Sequence, residues 1–164
     1  MSQLLDPMHR RQIESLRISH EARVLEVGCG NASMSAWMAE HIASEGQIVA
    51  LDLDLSLVDN VRAPNVEFRQ GDIVTGPVDP AGFDFVTARA VLHHVADANA
   101  ATGNLVANLR PGGAIPLIEP DFLPVGVVEP IEIRTFWSSW LAWSRTRGID
   151  YHIRSNTSAA ACCP

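Results

Sequence analysis

Short apolar runs alternate with helix-like segments along most of this chain, and the first apolar run ends in a glycine turn. The turn reads LEVGCGNAS, residues 25–33, with RVLEV before it and the helix-like MSAWMAEHIA after it. Gly28 and Gly30 let the backbone bend tightly and come close to a ligand with no Cβ in the way. The helix that follows aims its free N–H groups at the same spot. Few architectures use such a junction, and they share a parallel sheet with helices packed on it.

The remaining segments agree. Strands are expected at 23–27, 47–53, 65–69, 83–88 and 114–118, read as RVLEV, QIVALDL, NVEFR, FDFVTA and AIPLI. Helices are expected at 9–18, 32–43, 56–61, 97–109 and 129–147, with Asp97 as an N-cap. Met34, Trp37, Met38, His41 and Ile42 fall largely on one helical face. Arg110-Pro111-Gly112-Gly113 should stop the fourth helix. Strands and helices alternating at this spacing make βαβ units. The fold class is therefore α/β, a Rossmann-like parallel sheet of about five strands with flanking helices. Ligands of such sheets sit beyond the carboxyl ends of the strands.

The residues at those ends carry the chemistry. Asp52 follows the second strand, where an acid accepts hydrogen bonds from ribose hydroxyls. Asp72 follows the third strand in QGDIV, where a carboxylate can accept from an exocyclic amine while the Ile73 backbone faces a base edge. Each also reads as an ordinary loop aspartate. Glu26 precedes the turn and suits a cationic ligand better than a pyrophosphate. Ser33 stands where a dinucleotide fingerprint places its third glycine, which counts against a nicotinamide-dependent oxidoreductase.

Five stretches together resemble the class I S-adenosylmethionine-dependent methyltransferases, of the kind that act on small molecules: VLEVGCG, GQIVALDLD, NVEFRQGDIV, FDFVTARAVLHHV and LRPGGAIPLIEPD. They keep the family's order and spacing over about residues 20–122. The resemblance implies S-adenosyl-L-methionine as cofactor. It implies that Glu26, Gly28 and Gly30 line the methionine end and the turn, that Asp52 takes the ribose, and that Leu53 flanks the adenine. It implies that Asp72 and Ile73 hold the adenine, with Ala88 and Arg89 beside the methionine moiety. Asn31-Ala32 departs from the Thr-Gly that members often carry. The acceptor is expected to be a small molecule methylated at O, N or C.

A general base is needed only for a protonated hydroxyl or a carbon acid. His93 and His94 follow the fourth strand, and one of them could serve, since histidine titrates near neutrality; the simpler reading is that one packs on or caps the next helix and the other is solvated. Glu119 and Asp121 could meet the acceptor or cap a loop. Trp137, Trp140 and Trp143 recur every three residues, which places them along one helix face. They either pack on a neighbour or wall an aromatic or lipid-like pocket.

The net charge of −7 disfavours a broad nucleic-acid surface. No run is long enough to span a membrane, and MSQLLDPMHRRQIES is not a signal peptide, so a cytoplasmic location is expected. Cys29, Cys162 and Cys163 suit neither a disulfide framework nor a zinc site.

Three segments are expected: a cofactor-binding core at 1–122, a helical substrate cap or dimer contact at 123–150, and an aberrant tail at 151–164. The full family fold has seven strands, and the last two are missing from this reading. All 12 basic residues are arginine, as a GC-rich gene would produce. SAAACCP written in GC-rich codons gives GRRLLP in another frame, close to a stretch the resembled proteins carry, so a frameshift near 152–157 is expected. Sequencing the gene tests it. Pro116 fits an edge strand, and an exposed apolar edge would favour a homodimer. A non-catalytic remnant that binds cofactor is the alternative function.

Overall fold

The computed structural model describes residues 2–58, 61, 63–122 and 129–151. Two runs dense in β-branched and other apolar residues form the centre of a parallel sheet: β1, Arg23–Val27, and β2, Gln47–Asp52. Val24, Leu25, Ile48 and Val49 are fully buried, although neighbours along a strand point to opposite faces. Both faces must therefore be covered, as parallel sheets require. One face carries Val24, Ile48 and Phe85 under Met34, Trp37 and Met38 of helix α2, Ser33–His41, and Ile13 of helix α1, Ser2–Ser15. The other carries Leu25, Val49 and Val86 under Ala101 and Leu105 of helix α3, Ala98–Ala107.

Strands β3, Val66–Gln70, β4, Phe83–Arg89, and β5, Leu109–Ala114, complete the order β3-β2-β1-β4-β5. Every pairing is parallel. The order reverses between β1 and β4, and that switch point is where ligands of open α/β sheets bind. A Rossmann-like sheet with helices on both faces is thus what the chain forms. Helix α4, Ile131–Arg145, follows the sheet.

The fifth strand differs from the expectation. Helix α3 starts as its cap dictates, with the Asp97 carboxylate accepting from Ala100 N at 2.9 Å. It ends two residues earlier than expected, and β5 already begins at Leu109. The Pro-Gly-Gly segment read as a helix stop lies inside the strand as an irregularity. Leu109 pairs with Phe83 and Ala114 with Phe85, so the residues between bulge outward, with Gly112 at φ +81°. The strand breaks again at Ile115-Pro116, because proline has no N–H to give the ladder. It resumes as β6, Leu117–Ile118, paired with Ala88 and Arg89 of β4. Six strands occupy five positions, and among the described residues β5 and β6 form an edge.

Two other differences are small. Helix α1 extends from 2 to 15 rather than 9 to 18, and the expected helix at 56–61 is a 3-10 turn at Leu55–Leu57. Residues 59, 60 and 62, part of the expected cap segment (123–128), and nearly all of the 151–164 tail with Cys162 and Cys163 lie outside the described residues. No helix among the described residues is long and apolar enough to cross a membrane.

Candidate active site

The glycine turn is held from below by β2. The N–H groups of Gly28 and Cys29 both donate to the Leu51 carbonyl, at 2.8 and 3.2 Å. Gly28 has φ +73°, and a Cβ there would lie 2.2 Å from Cγ2 of Val91. Gly30 has φ +53° and open space before it. Ala32, where the resembled family often has glycine, also takes a left-handed conformation, at φ 60°. The backbone shape persists, and the alanine bears the strain.

Asp52 does two jobs at once. One carboxylate oxygen accepts from Gly30 N at 2.8 Å, and the other accepts from Asp54 N at 3.2 Å. It therefore ties the turn after β1 to the end of β2. Asp72 accepts from Val74 N at 2.8 Å, ordering the loop after β3. These residues surround a cavity of about 560 Å³ at the carboxyl ends of β1, β2 and β4. Gly28, Gly30, Asp52, Leu53, Asp72 and Ile73 line it. Leu53 and Leu57 also line it and are 62 % and 65 % exposed, so they offer apolar surface to the cavity.

Three expected site residues stand elsewhere. Glu26 is 3 % exposed, does not line the cavity, and accepts a hydrogen bond from the Ser35 hydroxyl of α2. Burial pushes its pKa up to about 7. Arg89 pairs with Asp6 of α1, and Ala88 is fully buried in the sheet. Near them His9 contacts Thr87 Oγ1 through Nε2 at 2.9 Å, and burial with the Arg89 charge lowers its pKa to about 4. This buried polar cluster fastens α1 to the sheet beneath the turn. Burial, with Glu26 and Asp52 beside it, pushes the Cys29 thiol pKa up to about 12.

A second cavity of about 460 Å³ adjoins the first. Ala90 lines both, and it too has a left-handed φ of 56° just past β4. The two histidines divide between the cavities. His94 lines the first, and burial together with His93 lowers its pKa. His93 lines the second, where its Nδ1 lies 2.5 Å from Oε2 of Glu119. The other Glu119 oxygen accepts from Val91 N and Leu92 N, both at 2.8 Å. Glu119 thus caps the short turn that carries the histidines, one of the two roles the sequence offered, and it also orients His93.

Trp137 and Trp140 of α4 wall this cavity with Phe122 and Tyr151. Trp143 does not: it is 52 % exposed and lies under the Arg147 guanidinium. The equal spacing misled here, because three residues advance about 300° around a helix, and the third tryptophan has turned away by about 120° from the first. Sequence reasoning also missed Ala90 and Val91, whose role depends on backbone geometry, and Leu5 and Met8, which α1 brings to the second cavity. Phe122 and Tyr151 carried no pattern that would have marked them.

Comparison with known proteins fits this geometry. An uncharacterised methyltransferase of Mycobacterium tuberculosis is 33 % identical over 99 residues, 58 % of this chain and 49 % of the relative. A demethylmenaquinone methyltransferase of Listeria welshimeri is 29 % identical over 117 residues, 67 % of this chain and 50 % of the relative. The chain spans half or less of the length of these curated relatives. Among solved structures, a putative methyltransferase from Bacillus halodurans has a TM-score of 0.63 at 20 % identity, covering 85 % of this chain and 60 % of that one. The trans-methyltransferase CalH in complex with SAH has a TM-score of 0.53 at 25 % identity, covering 60 % and 32 %. Residues 24–113, more than half of the sequence, match the methyltransferase domain family, and the chain belongs to that family.

Proposed function

We propose that the chain binds S-adenosylmethionine in the first cavity and directs its methyl group to a small-molecule acceptor in the second. The observation that carries this reading is the pair of adjoining cavities with one shared wall at Ala90. Methyl transfer from a sulfonium is an in-line displacement, so donor and acceptor need neighbouring sites and little else.

The first cavity fits the nucleoside. Its volume of about 560 Å³ lies within the range of cofactor sites. In this reading Gly28 and Gly30 allow close approach, and Asp52 accepts from the ribose hydroxyls. Leu53 and Ile73 sandwich the adenine, and Asp72 accepts from its amino group. Glu26, Ala88 and Arg89 act from beneath by keeping the turn in place, and Glu26 would meet the cofactor's ammonium only after a local shift. The cofactor supplies an activated methyl carbon. The protein's residues orient the two partners and exclude water. Two relatives support the reading: CalH is solved with SAH, and the demethylmenaquinone enzymes act on a small molecule.

Calorimetric titration with S-adenosylmethionine and S-adenosylhomocysteine tests the proposal, with Asp52→Ala as control. Saturable binding that the variant loses is expected. Absence of binding, or equal binding by the variant, would refute it. A homodimer through the edge formed by β5 and β6 belongs to the same proposal, and sedimentation at high concentration would show a monomer if it is wrong.

A further inference from the structure

The second cavity is strongly apolar, and its polar equipment is specific. Phe122, Trp137, Trp140 and Tyr151 form one aromatic cluster, with ring centroids 4.9–5.8 Å apart. Such walls favour a flat, π-rich guest. A volume of about 460 Å³ suits a molecule of two or three fused rings rather than a single small group.

Charge narrows the choice. Glu119 is the one carboxylate lining the cavity among the described residues, and both its oxygens are engaged: one by Val91 N and Leu92 N, the other by His93. No anion is left over for an ammonium guest. His93 stacks on Tyr151 with centroids 4.7 Å apart and touches His94 at 4.0 Å, so its ring is fixed on both sides. With Nδ1 given to Glu119, Nε2 is the nitrogen left for a ligand. A carboxylate behind Nδ1 selects the tautomer whose Nε2 accepts a proton. That is equipment for an acceptor that must lose a proton as it is methylated. A neutral amine needs no base, whereas an alcohol on an aromatic ring does.

We propose, on the methyl-transfer reading above, that the acceptor is a planar aromatic alcohol packed against the wall that Trp137, Trp140 and Phe122 form together. Its hydroxyl meets Nε2 of His93, and Glu119 positions that histidine. As the new O–CH3 bond forms, the S–CH3 bond breaks and its electron pair returns to sulfur. The hydroxyl proton passes to Nε2, and the resulting imidazolium is held by Glu119. His93 is the catalytic base, and Glu119 is a positioning residue.

The test uses the full chain saturated with S-adenosylhomocysteine, with 7-hydroxycoumarin as probe, because its neutral and ionised forms absorb at different wavelengths. Calorimetry on the same samples reports cofactor binding. The expected result is that the bound probe ionises at a pH at least one unit lower in the wild type than in His93→Gln or Glu119→Gln. Trp140→Ala should weaken probe binding about tenfold or more while cofactor binding persists. Loss of the probe, but not of 7-methoxycoumarin, in His93→Gln would also support the contact. Cofactor binding without probe binding, or an ionisation pH that neither variant moves, overturns the acceptor proposal and leaves the methyl-transfer reading standing. Failure to bind S-adenosylhomocysteine sinks both, and the calorimetric signal tells the two failures apart.

Discussion

Replacing Gly28 by alanine should damage the site more than any other single methyl group. Two costs add. A φ of +73° in an L-residue costs roughly 1–2 kcal/mol, reduced by about 0.4–1 kcal/mol because alanine restricts the unfolded chain. The new Cβ would lie 2.2 Å from Cγ2 of Val91, well inside contact distance, and overpacking of this kind costs about 1–3 kcal/mol. The sum is about 1–5 kcal/mol. Urea denaturation should register it as a midpoint lowered by about 0.5–2 M, taking a slope of about 2 kcal/mol per molar. Val91 also lines the first cavity and donates to Glu119, so, on the proposed cofactor placement, affinity for S-adenosylhomocysteine should fall as Val91 is displaced. A double-mutant cycle separates the two costs. Val91→Ala should cost about 1 kcal/mol alone, yet recover about 1–2 kcal/mol when added to Gly28→Ala. Strict additivity of the two substitutions would refute the claim that the turn is packed directly against Val91.

Glu26 makes stability pH-dependent. Its folded pKa of about 7 is raised from 4.5, so its contribution is fully present below pH 4.5 and is lost as pH rises through about 7, on the order of 3 kcal/mol. Glu26→Gln should therefore be more stable than the wild type at pH 8 and about equal at pH 4; an equal difference at both pH values would count against this. His9 works in the opposite sense: lowered from 6.5 to about 4, it supports the fold above pH 6.5 and withdraws that support as pH falls toward 4, so His9→Gln should flatten the acid side of the stability profile in thermal melts. On helix α4, Leu141→Ala should cost about 2–4 kcal/mol in denaturant titrations because Leu141 is buried, while Trp143→Ala should stay within about 0.5 kcal/mol because Trp143 is half exposed. The reverse order would mean that the helix packs through its other face.

The strands were legible wherever apolar residues ran on without interruption. RVLEV and QIVALD are buried on both faces, and burial of that kind leaves an unbroken signal. The start of the fifth strand is harder to read because Pro111, Gly112 and Gly113 are turn residues in any local view. Only pairing with β4 makes Leu109–Ala114 a strand, and that is a long-range fact. The acids at strand ends were legible because the architecture fixes where a loop carboxylate can reach. Their hydrogen bonds were not: nothing local shows that Asp52 would hold Gly30 N, or that Glu119 would take His93. Glu26 and Arg89 belong to a buried cluster to which α1 supplies Asp6 and His9, and no short-range pattern ties residue 6 to residue 89. The tryptophans show the limit of spacing alone, since a three-residue repeat drifts around a helix and delivers two residues to a cavity but not a third.

The most direct measurement is a crystal structure of the chain grown with S-adenosylhomocysteine. We expect the adenine between Leu53 and Ile73 with its amino group at Asp72, the ribose hydroxyls on Asp52, and the sulfur facing the second cavity past Ala90. The homocysteine carboxylate or ammonium should lie over the Gly28–Gly30 turn. Ligand density elsewhere, or a first cavity left without ligand at saturating concentration, would contradict it.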